Sequence, residues 1–339
     1  MFWKKSGGQK IPALKTINNI PKFEVRTDLA VEEQESFKGD GGEIGGVSLR
    51  EWHHRNSRIK LTEVSIFSEQ GAKSMGKPMG TYLTLDVPKM SDKDEGYHKE
   101  VSEELGKQLR ALIEKLCPKG KRAEVLVVGL GNIQVTPDSL GPRVIDNLQM
   151  TRHLKEEYGE EFCIKNNLPI LSGIVPGVMA QTGMESAEIV KGIVEETKPD
   201  LVLAVDALAA RSIRRLATTI QLTDTGIHPG SGVGNHRSSM TKEVLGVPVI
   251  ALGVPTVVGA AAIVHSTVET MIDALSVNET VASYGQYIEK LDSESQYQLI
   301  SELLEPEFGP MFVTPQDIDE RVKQLSFTVS EGIHNALYS

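Results

Sequence analysis

The middle of this chain alternates continuous apolar segments with amphipathic ones, and this pattern limits the possible folds more than any other feature. AEVLVVGLGN (123–132), LVLAVDAL (201–208) and VPVIALGVPTVV (247–258) are apolar at nearly every position, whereas 184–200 and 259–275 carry apolar residues at helical spacing. A strand without a polar face is buried on both sides, as in parallel sheets that helices cover on both faces. We therefore predict an α/β fold with a mostly parallel sheet flanked by helices on both faces.

Shorter patterns extend this core toward both ends of the chain. RIKLTEVSIF (58–67) and GTYLTLDVP (80–88) alternate apolar and polar residues, which predicts additional half-buried strands on the N-terminal side. The segments 296–305 and 315–337 have the pattern of helices that pack back on the core.

Composition excludes several classes of protein. The chain has 339 residues and a formal net charge of −10, and a negative chain does not attract the phosphate backbone of nucleic acids. It contains neither an apolar run of membrane-spanning length nor a secretory signal, so we expect a cytoplasmic protein. Cys117 and Cys163 form no CxxC pattern, which argues against a disulfide framework or a cysteine metal site. Residues 1–25 have the composition of a mobile arm, and 34–50 that of a loop rich in glycine and charge.

Candidate catalytic residues lie in three loops that follow predicted strands, because active sites in open α/β sheets form at the carboxyl ends of strands. GLGNIQVTPDSLGP contains Asp138, and VDALAARS contains Asp206. The third loop, TDTGIHPGSGVGNHR, contains Asp224, His228 and His236. The first loop is not a dinucleotide-binding fingerprint, because a glutamine occupies the position of the third glycine.

These residues also have structural interpretations. Asp138 could cap the helix that begins near Pro142, Asp206 could cap the segment after its strand or pair with Arg211, and His228 could be an ordinary loop histidine. Asp206 is harder to explain in this way, because a buried charge is costly unless it is used. Two aspartates in one site hold a proton between them, since their charges repel. Such a pair can activate water and protonate a leaving amine, which is aspartic-type peptide hydrolysis.

Five motifs follow one another along the chain: VVGLGNIQVTPDSLGP, SGIVPGVMAQTGMES, VDALAARS, TDTGIHPGSGVGNHR and VIALGVPTVV. In this order they closely resemble motifs of the germination protease of endospore-forming bacteria. The resemblance runs from about Arg26 to the C-terminus and is strongest through 124–260. It implies an aspartic-type endopeptidase with a fold like that of hydrogenase maturation proteases, which share a GxGN loop followed by an acid. The catalytic pair proposed for the family falls on Asp138 and Asp206.

The resemblance also implies a biological role. The family's enzyme is made in the cytoplasm of the developing spore as an inactive zymogen, and it stays in the spore core. At germination the active homotetramer degrades the small acid-soluble proteins that coat spore DNA. The expected partners are therefore these proteins and further copies of the chain, without direct binding of nucleic acid or membrane. We expect Asn132, Arg211 and His228 to line the site.

The segment RTDLAVEE (26–33) resembles the sites at which the family's substrates are cut. Such sites have an acid before the cleaved bond, and a large apolar residue and alanine after it. The segment therefore predicts processing between Asp28 and Leu29, in an arm that its proline and glycine neighbours keep accessible. Residues 1–28 are then a propeptide arm, and 29–339 form a single peptidase domain.

Two alternatives to this interpretation remain. Asp138, Asp206 and His228 combine carboxylate and imidazole ligands that suit a transition metal, as in a metal-dependent maturation protease. The second alternative is a binding protein without catalytic activity, which has the same fold and binds an anion with the glycine-rich loop. We prefer the pair of aspartates, with neither a metal nor a cofactor.

Overall fold

The computed structural model describes residues 27–36, 44–54, 58–90, 94–117, 122–228, 238–276, 299–300 and 311–338. The strands within these residues are β1 Val47–His53, β2 Lys60–Ile66, β3 Gly80–Asp86, β4 Glu124–Gly129, β5 Ile170–Ile174, β6 Leu201–Ala210, β7 Thr219–Thr223, β8 Val249–Gly259 and β9 Phe312–Val313. They form one sheet in the order β1-β2-β3-β7-β8-β6-β4-β5, with β9 paired to β8.

The helices within the same residues differ widely in length. They are α1 Ala30–Ser36, α2 Glu69–Met75, α3 Glu95–Leu116, α4 Leu140–Asn147, α5 Arg152–Tyr158, α6 Glu160–Lys165, α7 Met179–Thr182, α8 Ser186–Thr197, α9 Lys242–Leu245, α10 Ala260–Ser276 and α11 Ile318–Leu337. Two 3₁₀ turns span Thr136–Asp138 and Ile213–Arg215. No helix in the described part of the chain is long and apolar enough to cross a membrane.

The prediction of a mostly parallel sheet is wrong. Only β5, β4, β6 and β8 run parallel to one another. β1, β2, β3 and β7 continue the sheet through antiparallel pairs, and both β7 and β9 pair with β8 in the antiparallel sense. Only residues 211–218 connect β6 to β7, which lies beyond β8 in the sheet. A connection this short does not contain the crossover helix that usually returns the chain for a parallel strand. Apolar side chains indicate that a strand is buried, but they do not indicate its direction.

Helices cover both faces of the parallel strands, as predicted. Successive side chains of a strand point to opposite faces. Val125 and Val127 of β4 belong to the apolar cluster that includes α3, α4 and α11. Leu126 and Val128 belong to a second cluster, with side chains from α8, α9 and α10. All four side chains are at most 1% exposed, so β4 has no solvent face.

The segments predicted outside the central core have different outcomes. β2 and β3 confirm the two additional strands, but the loop predicted at 34–50 contains the end of α1 and the start of β1. β1 is an edge strand with mostly exposed side chains, and it pairs with β2 along its whole length. Its extended form therefore comes from pairing, because its own sequence lacks a half-buried pattern. Of the helix predicted at 296–305, only 299–300 lie within the described residues. The likeness to hydrogenase maturation proteases stays a prediction.

The predicted C-terminal helix is confirmed as α11, which packs closely against α3. A Cβ atom on Gly106 of α3 would lie 2.9 Å from the carbonyl oxygen of Gly332 in α11. A Cβ atom on Gly332 would lie 2.7 Å from the side chain of Leu105. Arg110 of α3 also donates a hydrogen bond to the carbonyl oxygen of Asn335. The two glycines therefore allow a helix contact that larger residues would push apart.

Candidate functional site

The loop between β4 and α4 brings Asp138 to the carboxyl edge of the parallel strands. Gly131 has a φ of +110°, and a Cβ atom there would lie 2.0 Å from the carbonyl oxygen of Asp138. The loop can therefore close this tightly only around a glycine. The backbone N–H of Asn132 donates a hydrogen bond to Asp138 Oδ2 at 2.8 Å. Ser139, and not Asp138, occupies the N-cap position of α4, so the capping interpretation of Asp138 is wrong.

Asp206 lies inside β6, which continues to Ala210, and not at the end of a strand as predicted. The ladder between β4 and β6 ends at Val205, so Asp206 is the first residue of β6 beyond its pairing with β4. On the other side it pairs with Gly253 of β8. Asp206 is only 6% exposed, and its Oδ1 accepts a hydrogen bond from the N–H of Ala207 at 2.9 Å. The residue is therefore a buried carboxylate at a local gap in the sheet.

The structure places the loop of Asp138 directly on the strand that carries Asp206. The N–H of Leu130 donates to the carbonyl oxygen of Val205 at 2.8 Å. A Cβ atom on Gly141 of α4 would lie 2.5 Å from the same oxygen. The 3₁₀ turn that ends at Asp138 contacts both β6 and β8. Asp138 and Asp206 thus lie on adjoining elements at the same edge of the sheet, and their catalytic pairing stays a prediction.

Asn132 is also brought to Asp138, together with a residue that the sequence analysis did not select. Asn132 Oδ1 accepts hydrogen bonds from the N–H of Gln134 and from Gln181 Nε2, both at 3.0 Å. Gln181 belongs to α7, in the loop that follows β5. It was part of the motif SGIVPGVMAQTGMES, but nothing in the motif indicates which side chain reaches the neighbouring loop.

The described contacts of Arg211 and His228 are with groups other than the two candidate aspartates. The N–H of Arg211 donates to Glu32 Oε2 at 2.7 Å, and its Nη2 donates to Glu33 Oε1 at 3.2 Å. His228 is exposed, and partial burial of its ring and the nearby charge of Lys77 lower its pKa. Arg211 therefore contacts residues 27–36, and His228 has Lys77 as a charged neighbour.

The structure does not gather the three proposed metal ligands. Within the described ranges, no three histidine, cysteine, aspartate or glutamate side chains are grouped so that they could hold one metal ion. Asp138, Asp206 and His228 thus form no ligand set in this conformation. Asp224 has a structural role, because it accepts hydrogen bonds from the N–H of Thr81 at 2.7 Å and from Lys115 at 2.8 Å. His236 lies outside the described residues.

Residues 27–36, which we call the N-terminal segment, dock onto β6 and β7. The N–H of Asp28 donates to the carbonyl oxygen of Ala209 at 3.0 Å, and the N–H of Ala209 donates to Asp28 Oδ2 at 2.9 Å. Gln221 Nε2 donates to the carbonyl oxygen of Asp28 at 3.1 Å, and Gln221 Oε1 accepts from the N–H of Ala30 at 2.8 Å. Leu29 and Ala30 are 0% exposed. The expectation that the bond between Asp28 and Leu29 lies in an accessible arm is therefore wrong in this conformation.

Glu32 anchors the N-terminal segment through its carboxylate. The side chain is 3% exposed and accepts hydrogen bonds from the N–H groups of Arg211 and Ser212 at 2.7 and 2.9 Å. It also accepts from the hydroxyl of Thr27 and lies 3.6 Å from Arg215 Nε. Nearly every direction around this buried carboxylate therefore contains a donor or a cation.

Two further charged groups of this region have shifted pKa values. Arg215 contacts Glu35 at 2.6 Å and Asp86 at 2.9 Å. Burial raises the pKa of Glu35 in spite of the Arg215 contact, and the charges of Glu32 and Asp86 act in the same direction. Lys77 Nζ donates to the carbonyl oxygen of Thr27 at 3.1 Å. Burial lowers the pKa of Lys77, whereas neighbouring acids of the N-terminal segment act to raise it.

Comparison with known proteins identifies relatives over nearly the whole chain. A family model described as germination protease matches residues 24–279. The germination protease of Caldanaerobacter subterraneus subsp. tengcongensis is 46% identical over 318 residues, which cover 92% of this chain and 94% of the relative. That of Clostridium tetani is 43% identical over 92% of this chain and 95% of its own. That of Bacillus subtilis is 36% identical over 94% of this chain and 95% of its own.

Proposed function

This chain belongs to the germination protease family, and we propose that Asp138 and Asp206 together activate the water that hydrolyses its peptide substrates. Membership of the family makes the chain a peptidase that acts in spore germination. The proposal adds the aspartic mechanism and the two residues that perform it.

The observation that carries the proposal is the contact between the loop of Asp138 and β6 at Val205. The hydrogen bond from Leu130 to Val205 and the approach of Gly141 to the same carbonyl oxygen bring two acid-bearing elements to one edge. Each carboxylate also accepts a hydrogen bond from a nearby backbone N–H: Asp138 from Asn132, and Asp206 from Ala207. These bonds hold the carboxylates in place before a substrate arrives, as catalysis requires.

In the proposed reaction one carboxylate accepts a proton from water while the water oxygen attacks the peptide carbonyl carbon. The partner, which is protonated at the start, shares its proton with the carbonyl oxygen as that oxygen gains charge. When the intermediate collapses, the bond between carbon and nitrogen breaks and the nitrogen takes up a proton. One water molecule is consumed, and a carboxyl group and an amine are formed.

The variants Asp138→Asn and Asp206→Asn test this mechanism. Each should lower kcat by at least about 1,000-fold, because an amide can neither accept the proton from water nor donate it as an acid does. The double variant should be no less active than the worse single one, since a catalytic pair fails as a unit.

Asp146→Asn is the matched control, because Asp146 is exposed on α4, the helix that follows Asp138. It should retain wild-type activity. Circular dichroism and urea unfolding establish that every variant is folded. Hydrolysis at more than about a tenth of the wild-type rate by either folded catalytic variant would refute its catalytic role.

We further propose that the substrates are small acid-soluble spore proteins and that the enzyme is a homotetramer in the cytoplasm of the developing spore. The germination function of the relatives supports this setting. Digestion of a recombinant small acid-soluble spore protein tests the substrate, and sedimentation velocity tests the tetramer. An undigested protein or a monomer at micromolar concentration would contradict the respective proposal.

Processing between Asp28 and Leu29 completes the proposal, with residues 1–28 as the propeptide of a zymogen. Asp28 pairs with Ala209, three residues beyond Asp206 on the same strand. Three residues of strand correspond to about 10 Å, so the N-terminal segment must leave its position before the bond reaches the aspartates. N-terminal sequencing of the matured protein should give Leu29 as the first residue. Another start, or no maturation of an active chain, would refute this cleavage.

A further inference from the structure

We propose that the side-chain amide of Asn132 binds the carbonyl oxygen of the substrate during hydrolysis, and that Gln181 is the positioning residue that orients this amide. The proposal rests on the function proposed above, because it assigns a substrate contact in the same site. It extends that function by a hydrogen-bond donor that acts on the reacting carbonyl group.

The orientation of the Asn132 amide follows from its partners. The N–H of Gln134 can only donate, so the atom that it contacts at 3.0 Å must be the oxygen, Oδ1. Gln181 reaches the same oxygen at 3.0 Å and therefore presents its own Nε2. With Oδ1 held by two donors, the Nδ2 group of Asn132 is directed to the opposite side of the planar amide.

Asn132 lies in direct contact with the candidate catalytic carboxylate. Its backbone N–H donates to Asp138 Oδ2 at 2.8 Å, so its side chain branches from a residue that touches the candidate catalytic carboxylate. A donor fixed at this place can stabilise the negative charge that develops on the carbonyl oxygen. The fixed orientation matters, because a donor that must first rotate loses part of its effect in the transition state.

Gln181 is itself placed by the loop after β5. A Cβ atom on Gly177, whose φ is +74°, would lie 3.3 Å from Gln181 Oε1 and 3.3 Å from the side chain of Thr182. The glycine thus leaves room for the glutamine to lie across the loop. Gln181 is exposed and contributes to no apolar core cluster, so a substitution there can test its hydrogen bond to Asn132 without disturbing the core.

The surface around this hydrogen bond favours a polypeptide as the occupant. Ile133, Val135 and Met179 are 47%, 48% and 43% exposed, and they belong to the two loops that Asn132 and Gln181 join. Exposed apolar side chains mark a binding surface when they form one continuous patch, and the hydrogen bond between Asn132 and Gln181 brings the two loops that carry these residues together. A substrate chain that covers them also removes water from the Asn132 amide, which strengthens its hydrogen bond to the carbonyl oxygen.

Variants at Gln181 test the proposal without touching the aspartates. Gln181→Glu keeps the shape but has no donor at neutral pH, and it should lower kcat about tenfold on a recombinant small acid-soluble spore protein, with KM unchanged. Gln181→Lys keeps a donor and should retain kcat within about threefold of wild type. Gln324→Ala is the matched control, because Gln324 on α11 also forms a side-chain hydrogen bond, to Glu320 at 3.0 Å, and it should have no effect.

A double-mutant comparison separates positioning from a merely structural role. Asn132→Asp keeps the acceptor for Gln134 but removes the donor, and it should lower kcat about 100-fold, as loss of one such donor does in other enzymes. Adding Gln181→Glu to it should cause no further loss, because Gln181 then has no donor left to orient. If Asn132→Asp does not fold, the comparison of Gln181→Glu with Gln181→Lys tests the proposal by itself.

Two outcomes would overturn the assignment. One is wild-type kcat in Gln181→Glu, and the other is a double variant whose losses multiply. Both differ from failure of the proposed function, which would appear as substantial activity in Asp138→Asn or Asp206→Asn. If those aspartate variants are inactive while Gln181→Glu remains fully active, only the role of Asn132 and Gln181 is refuted.

Discussion

The N-terminal segment and the loop that carries Asp138 are held by contacts of very different range. In the loop, the hydrogen bond between Asn132 and Asp138 joins residues 6 positions apart. In the N-terminal segment, the bond between Glu32 and Arg211 joins residues 179 positions apart. The Asp138 carboxylate is therefore positioned by its own loop, although that loop also bonds to Val205 and Gln181. The N-terminal segment is held mainly by the rest of the fold.

Because of this difference, changes in the two regions should have their main effect on different measured quantities. The position of the Asp138 carboxylate within its loop depends on a local hydrogen bond and on Gly131, so changes in these residues should affect catalysis first. A segment fixed by distant partners contributes to the core of the whole protein, so changes in it should affect the free energy of unfolding first. Each prediction below tests one side of this comparison.

The largest effect is expected for Glu32→Ala. The change leaves the N–H groups of Arg211 and Ser212 without their acceptor and removes a carboxylate beside Arg215. Breaking a buried charged network of this kind costs about 3–5 kcal/mol. Urea unfolding measures the loss. Glu63→Ala, at the exposed ion pair with Arg50, should cost less than about 1 kcal/mol. Equal losses in the two variants would show that the N-terminal segment is not anchored by Glu32.

Leu29→Ala should lower the free energy of unfolding by about 3 kcal/mol, because truncation of a fully buried leucine leaves a cavity. Leu29 is 0% exposed and belongs to the same cluster as Leu126 and Val128 of β4. Leu49→Ala on β1 is the control, since Leu49 is 45% exposed. It should change stability by less than about 0.5 kcal/mol. A Leu29 effect as small as that of Leu49 would mean that the segment does not pack as described.

Gly131→Ala should lower kcat about 100-fold, which corresponds to about 2.7 kcal/mol of activation free energy. The new Cβ atom would overlap the carbonyl oxygen of Asp138 and displace the carboxylate, and a small displacement of a reacting group has effects of this size. Gly159→Ala is the matched control, because Gly159 also has a positive φ, +86°, but a Cβ atom there meets nothing within 4 Å. Steady-state kinetics of both variants decide. Similar losses of kcat would indicate backbone strain alone.

The smallest effect is expected for Glu35→Gln, and it should depend on pH. The folded-state pKa of Glu35 is raised above its usual 4.5, so its contribution to stability is present below that pH and is lost as the pH rises through the folded value. The glutamine variant should therefore gain stability relative to wild type between pH 4 and 7. Because the side chain is 54% exposed, screening should keep the gain below about 0.5 kcal/mol. Urea unfolding at both pH values measures it. If Glu35→Gln instead loses stability relative to wild type as the pH rises, the expected direction of the effect is wrong.

The sequence was most informative where structure depends on neighbouring residues. The continuous apolar runs correctly predicted strands that helices cover on both faces. The glycines of GLGNIQVTPD correctly indicated a loop at the end of β4, and the structure adds that this loop is tight. Strand direction was not predictable from side-chain pattern, because it follows from connection length and pairing. β1 was missed for the same reason, since its exposed side chains pair with β2 without a hydrophobic face of their own.

The sequence pattern could not predict contacts between distant segments of the chain. RTDLAVEE contains three acids and only two large apolar residues. Its burial depends on Ala209, Gln221 and Arg215, which nothing in the segment itself indicates. The same holds for Gln181, because a side-chain hydrogen bond between the loops after β4 and β5 requires their relative placement. The candidate aspartates were found because both follow apolar runs, which is a local signal.

The contact between α3 and α11 has a consequence for synthesis. Arg110 meets Asn335, which is 225 positions later in the chain. At about 5–20 residues per second, a ribosome needs on the order of ten seconds or more to travel that distance. During this time the part of α3 that packs against α11 has no permanent cover, and exposed apolar surface of this kind is prone to aggregation. The packing of α3 can therefore be completed only after α11 has emerged from the exit tunnel.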